Sequence, residues 1–270
     1  MELVSNLGTG FAFAFYLTFC FNSMPKPASL YFWCGIMFAN FILNQLKSAY
    51  EEPRPSWVSD EIPASKCRTS FGNPSGHMLG NCFFWVSVYL HLFYDRMIIN
   101  NSDGSTSFWN NRSVQFFITI FLTVFLGLMA ISRVYLGAHT LNEVLFGTLL
   151  GVTIATIAHF RVKTFFYAMP EMLYSREEEE KYDINRWTYI KAILATFVIP
   201  MSIASLTLFL RYGDSEEGLY TSEVWLKRMK NCGCTKEDLD PALILHNKHF
   251  EHSVIIANAT GAVLGQLFEH

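Results

Sequence analysis

Residues 114–159 read VQFFITIFLTVFLGLMAISRVYLGAHTLNEVLFGTLLGVTIATIAH. Two apolar runs, 114–132 and 140–159, flank a short link that begins at Arg133 and ends at His139. Each run approaches the roughly 20 residues that a helix needs to cross hydrocarbon. Arg133 closes the first run and His139 opens the second, so two ionisable groups fall at one end of two neighbouring helices.

Working outward, similar runs occur near 29–46, 78–94 and 190–210, with a weaker one over 6–22 and one near 253–268 interrupted by Asn258. Of the 270 residues, 51% are hydrophobic and only 16% charged, and 25 are phenylalanine. A large soluble protein could bury one such helix, but a series of them with so little charge fits a membrane chain better. The expected spans are 6–22, 29–47, 76–94, 114–132, 140–159, 190–210 and 251–268. The expected fold is therefore all-α, a multispanning membrane helical bundle of about six to seven transmembrane helices, with residues 1–270 forming a single membrane domain. The opening MELVSNLGTGFAFAFYLTFCF has no basic leader region and reads as a retained first span.

Of the six cysteines, Cys20, Cys34 and Cys82 lie in apolar runs, where a thiol acts as a small hydrophobe. Cys67, Cys232 and Cys234 lie in polar loops, where a bond from Cys67 to either of the others requires an oxidising lumen. NCGC lacks the further ligands of a zinc site. The formal net charge is -3 with scattered basic residues, so no nucleic-acid surface is expected. The acidic stretch from Arg176 reads as a solvated connection, and TSEVWLKRMK as a short amphipathic helix.

Alternating spans sort the loops onto two sides. One receives 48–75, 133–139 and 211–250; the other receives Lys26, 95–113 and 160–189. The basic residues at Lys26, Arg161 and Lys163 favour a cytoplasmic second side and hence a lumenal or extracellular first side. The sequons at Asn100 and Asn111 would then stay unused, and Asn258 would lie within a span.

Three stretches meet on the first side. LKSAYEEPRP carries Lys47 and Arg54, NPSGH carries Ser75, Gly76 and His77, and SRVYLGAH carries Arg133 and His139. Taken singly, Lys47 could snorkel, Ser75 could cap a helix, and His139 could be an interfacial imidazole. Together, three long cations and two histidines at the ends of several spans form a functional signal. Phosphoryl transfer uses this set. Lys47, Arg54 and Arg133 neutralise phosphate oxygens, while Ser75, the Gly76 amide and a helix N-terminus add donors. One histidine attacks phosphorus and the other protonates the leaving oxygen. No metal or cofactor is required, because the cations take the place of magnesium.

The spacing of Lys47 to Arg54-Pro55, the run Pro74-Ser75-Gly76-His77, and Ser132-Arg133 with His139 resemble the three signature motifs of the type 2 phosphatidic acid phosphatase superfamily. That family includes lipid phosphate phosphatases, dolichyl-pyrophosphate phosphatase, glucose-6-phosphatase, bacterial acid phosphatases and vanadium haloperoxidases. The resemblance implies a helical catalytic core over 29–159, accessory helices and loops over 160–270, and hydrolysis through a phosphohistidine. By motif position, His139 is the nucleophile, His77 the general acid, and Lys47, Arg54, Arg133, Ser75 and Gly76 hold the phosphate. The third motif usually ends in aspartate where this chain has Glu143. One turn below His139, either carboxylate can accept from the imidazole and fix its tautomer.

The expected function is a membrane phosphatase acting on a lipid-linked phosphate or polyprenyl pyrophosphate. It is expected to work among membrane lipids, in the endoplasmic reticulum or another endomembrane, with its site facing the lumen. The alternatives are a glucose-6-phosphatase-like enzyme for a soluble sugar phosphate, an anion transporter, and a subunit of a membrane complex that keeps a weak phosphate site. Vanadate is expected to inhibit.

Overall fold

The computed structural model describes residues 1–7, 10–59, 61–62, 70–95 and 111–167, with isolated positions between 191 and 206. The chain order is α1 (Glu2–Asn6), α2 (Gly10–Ser23), α3 (Lys26–Tyr50), α4 (Pro55–Val58), α5 (Gly76–Tyr89), α6 (Arg112–Tyr135) and α7 (Leu141–Ile157). α5 runs into a π-helical turn at Leu90–Tyr94, and α7 into another at Ala158–Val162.

Local chemistry sets the ends of these helices. Pro27 sits in the first turn of α3, where its missing N–H costs nothing. Asn111 caps α6, its Oδ1 accepting from the Ser113 amide at 2.9 Å. Thr140 and Glu143 form a reciprocal capping box at the start of α7.

α5 and α7 form the centre, packed closely side by side. A Cβ on Gly151 would lie 2.5 Å from the Leu79 carbonyl oxygen, and one on Gly147 would lie 2.6 Å from that of Ser75. The two backbones can approach this closely only because both positions lack a side chain. α3 covers one flank, where Ile36, Ala39 and Leu43 meet Leu79, Phe83, Ile154 and Ala155. α6 covers the other through Met129, which packs with Met78, Cys82 and Val144 while Val4 of α1 closes over them. The buried residues of α7 (Glu143, Val144, Gly147, Gly151, Ile154 and Ala155) fall on one face at helical spacing.

The expectation of a six- to seven-span bundle is corrected by this architecture. Among the described residues, only Arg112–Tyr135 and Leu141–Tyr167, of 24 and 27 residues, are long and apolar enough to cross a membrane. α2 is 14 residues long. α3 has 25, but it carries Asn40, Asn44, Gln45 and Lys47. Its buried Asn44 and Lys47 belong to a protein interior, not to a lipid face. The third run contains His77, Asn81, Ser87 and His91 and changes to π geometry after Tyr89. Most of the expected 190–210 span and all of 251–268 lie outside the described residues, as do Cys67, Cys232, Cys234, Asn100, Asn258 and the TSEVWLKRMK stretch.

At the far end of α5, the Asp95 carboxylate lies 3.1 Å from His91 Nδ1 and 3.2 Å from His159 Nε2, and it pairs with Lys163. Burial raises the Asp95 carboxyl, but these three neighbours, His159 first, outweigh it and hold the group well below the usual carboxylate range. The cluster ties the π turn after α5 to the π turn after α7.

Candidate active site

The opposite ends of the same helices hold the residues singled out from the sequence. Lys47 lies in the last turn of α3 and is buried. Its Nζ donates to the Phe71 carbonyl. Arg54 precedes α4, and its guanidinium spans two segments. Nε donates to the Ser70 carbonyl at 2.6 Å, Nη2 to Ser70 Oγ at 2.9 Å and Nη1 to the Ala138 carbonyl at 2.8 Å. Nη1 also lies 3.3 Å from His139 Nε2. Arg54 thus joins the loop before α5 to the link before α7.

Ser75 occupies the N-cap position of α5, yet its side chain makes no capping bond. Its Oγ is buried and has no hydrogen-bond partner among the described residues. The Ser75 side chain therefore does not act as the helix cap that its position allows. Its backbone is held from the other side, the Ser75 amide donating to the Glu143 carbonyl at 3.0 Å. Gly76 and His77 open α5 and are half-buried.

Arg133 lies in the last turn of α6, where its Nη1 donates to the buried hydroxyl of Ser5 in α1. Gly137 then takes a left-handed conformation at φ 61°, which glycine adopts without a Cβ penalty, and turns the chain back. The Ala138 and His139 amides both donate to the Arg133 carbonyl, at 3.2 and 3.3 Å. This turn carries His139 to the mouth of α7. His139 Nδ1 donates to Glu143 Oε2 at 2.7 Å, with the two residues 3% and 1% exposed. The same Oε2 accepts from the Thr140 amide at 3.3 Å, so the capping box of α7 also fixes the histidine.

With Nδ1 carrying the proton, His139 Nε2 keeps its lone pair and faces the Arg54 guanidinium. Burial, reinforced by the positive fields of Arg54, Lys47 and Arg133 and by His77, pushes the His139 imidazole well below its ordinary pKa. A neutral imidazole among fixed cations is equipped to attack an electrophile that carries negative charge. Among the described residues no group of three or more histidine, cysteine or acidic side chains is placed to hold a metal ion.

The structure thus gathers Lys47, Arg54, Ser75, Arg133, His139 and Glu143 at one end of the helices, with Gly76 and His77 at the adjoining start of α5. Sequence reasoning missed Ser5, Ser70 and the carbonyls of Phe71 and Ala138. It also missed Thr140, although the Thr-x-x-Glu pattern of a capping box was there to be read.

Residues 28–167, more than half of the chain, match the PAP2 superfamily. The chain is also similar to a protein of Arabidopsis thaliana described as "Probable lipid phosphate phosphatase beta", with 25% identity over 183 residues, 64% of this chain and 83% of that protein. No solved structure gives a significant match. The matched region runs from the start of α3 to the end of the helix that continues α7, and so contains every site residue named above except Ser5. The chain is a member of the PAP2 superfamily, with the phosphatase-type hydrolase chemistry which that membership carries in general.

Proposed function

We propose that this protein is a metal-independent phosphatase that hydrolyses a lipid-linked phosphate or pyrophosphate through a phosphohistidine. The observation that carries the reading is the His139–Glu143 pair, whose geometry leaves Nε2 as the unprotonated nitrogen, beside Arg54. In the first step Nε2 forms a bond to phosphorus, the bond from phosphorus to the leaving oxygen breaks, and His77 gives that oxygen a proton. In the second step His77 takes a proton from water, the water oxygen attacks phosphorus, and the bond to Nε2 breaks to release phosphate. Lys47, Arg54 and Arg133, with Ser75 Oγ and the Gly76 amide, neutralise the phosphoryl oxygens throughout.

A lipid substrate is favoured by the outer surface of α6 and α7. α7 is apolar on every side, yet among the described residues protein covers only one of its faces. Leu141, Leu145, Leu149 and Ile157 remain exposed, as do Phe116, Phe117, Phe121 and Ile131 of α6. Such a surface suits hydrocarbon, and it begins at the helix ends that carry Arg133 and His139. A lipid tail could stay in the bilayer while its phosphate meets the cations. The name of the plant relative points to the same substrate class. We place the site on the lumenal side of an endomembrane such as the endoplasmic reticulum, with Lys26, Arg161 and Lys163 toward the cytoplasm.

The test is kcat/KM for phosphate release by purified protein in mixed micelles, across short- and long-chain lipid phosphates, polyprenyl pyrophosphate and glucose-6-phosphate. Lipid recognition predicts a rise of about fourfold per methylene until the tail site is filled, from roughly 0.8 kcal/mol each. A flat profile with faster glucose-6-phosphate turnover would replace the lipid by a soluble sugar phosphate. Full activity in His139→Ala would remove the phosphohistidine.

A further inference from the structure

We infer that Gly72 is a positioning residue for this reaction, because the missing side chain at 72 leaves the Glu143 carboxylate its place against His139. The inference rests on the phosphohistidine reading above and assigns a role to a residue outside the phosphate cradle. A Cβ on Gly72 would meet three carboxylate atoms at once: Oε1 at 2.5 Å, Cδ at 2.8 Å and Oε2 at 2.9 Å. All three distances are too short for non-bonded contact, so one partner must move.

Backbone conformation does not demand this glycine. Among the described glycines only Gly137 has a positive φ, so alanine could adopt the Gly72 backbone without strain. Space is what is demanded. Nor can the loop easily retreat. The Gly72 amide donates to the Glu52 carbonyl at 2.8 Å, and the preceding Phe71 carbonyl accepts from Lys47 and from Arg54 Nη2. Three residues on, the Ser75 amide is bonded to the Glu143 backbone. The flexible party is the carboxylate itself, the far end of a side chain with several rotatable bonds.

Alanine at 72 should therefore leave the fold in place and drive the carboxylate off His139 Nδ1. That bond sets which nitrogen attacks, so the damage falls on the chemical step and not on phosphate binding. Aspartate at 143, shorter by one methylene, withdraws the carboxylate from the space that the alanine would occupy. The two positions should then be coupled in catalysis although they are far apart in the chain.

The experiment measures kcat, KM and the thermal unfolding midpoint for wild type, Gly72→Ala, Glu143→Asp and the double variant, using a soluble aryl phosphate. Gly72→Ala is expected to lower kcat about ten- to a hundredfold, the scale of a small misplacement of a catalytic group, with KM and midpoint nearly unchanged. In the Glu143→Asp background the same alanine should cost less than about threefold, since the clash is gone. Equal fold-losses in both backgrounds, or full kcat in Gly72→Ala, would overturn the inference, as would a loss confined to KM. If Gly72→Ala does not fold, recovery of folded protein in the double variant supports the coupling, and its absence refutes it. A wild-type protein that releases no phosphate removes the parent reading and this inference with it, an outcome distinct from an active enzyme without coupling.

Discussion

Glu143 Oε2 accepts two hydrogen bonds, from His139 Nδ1 at 2.7 Å and from the Thr140 amide at 3.3 Å, so one carboxylate oxygen both starts α7 and sets the tautomer of the histidine. The first expected outcome follows from that double role. Glu143→Gln keeps the volume and an acceptor oxygen but removes the charge that stabilises positive charge on the imidazole. It should lower kcat on the order of a hundredfold or more, with KM little changed. Steady-state kinetics on an aryl phosphate read this directly, and an unchanged kcat would separate the pair from the chemistry.

The pH dependence has a definite sign. The His139 imidazole is held below its ordinary pKa by burial first and then by Arg54, Lys47 and Arg133. Below about pH 6.5 the unfolded chain takes up a proton at this position that the folded chain refuses. Stability from this group is thus complete above about pH 6.5 and falls as the solution is acidified, with a limiting slope of about 1.4 kcal/mol per pH unit. His139→Asn should lose less of its thermal midpoint than wild type between pH 7 and pH 5. Parallel curves for the two proteins would show that the imidazole is not buried neutral.

At the other end of the bundle, Asp95 pairs with His91, His159 and Lys163. Asp95→Asn should destabilise the protein by about 1–3 kcal/mol, the range for a polar network that loses its central charge. Because the carboxyl is depressed, its contribution is present above the ordinary carboxylate pKa and disappears as pH falls through the folded value. KM should not change, since the site lies at the opposite end of α5. A raised KM with an unchanged unfolding midpoint would contradict the placement.

Gly151 tests the central packing. Its neighbour is the Leu79 backbone carbonyl, which cannot swing aside as a side chain can. Gly151→Leu should therefore force α5 and α7 apart and cost about 1–3 kcal/mol or more. The same change at Gly127, where a Cβ meets nothing within 4 Å, should be tolerated. Thermal midpoints of the two purified variants give the comparison, and equal losses would mean that α5 and α7 do not approach as described.

Much of the candidate site could be read along the chain. Lys47, Arg54, Ser75, Arg133 and His139 stood out because charged and hydroxyl groups at the ends of apolar runs are costly unless something uses them. Glu143 stood out through the family resemblance, at the position where the third motif usually has aspartate, one helical turn from His139. The number of spans could not be read in the same way. Hydropathy registers how apolar a stretch is, but not what it faces, and α3 and α5 turn Asn44, Lys47 and Asn81 into protein. The contacts that complete the site lay further out of reach. Ser5 meets Arg133, Gly72 makes room for Glu143, and Asp95 gathers three partners from two helices. Spacing along a chain reports neighbours within one helix, because helical geometry is local. Whether a hydroxyl, or the absence of a methyl group, serves a residue on another helix depends on how closely separate segments approach, and only their packing determines that.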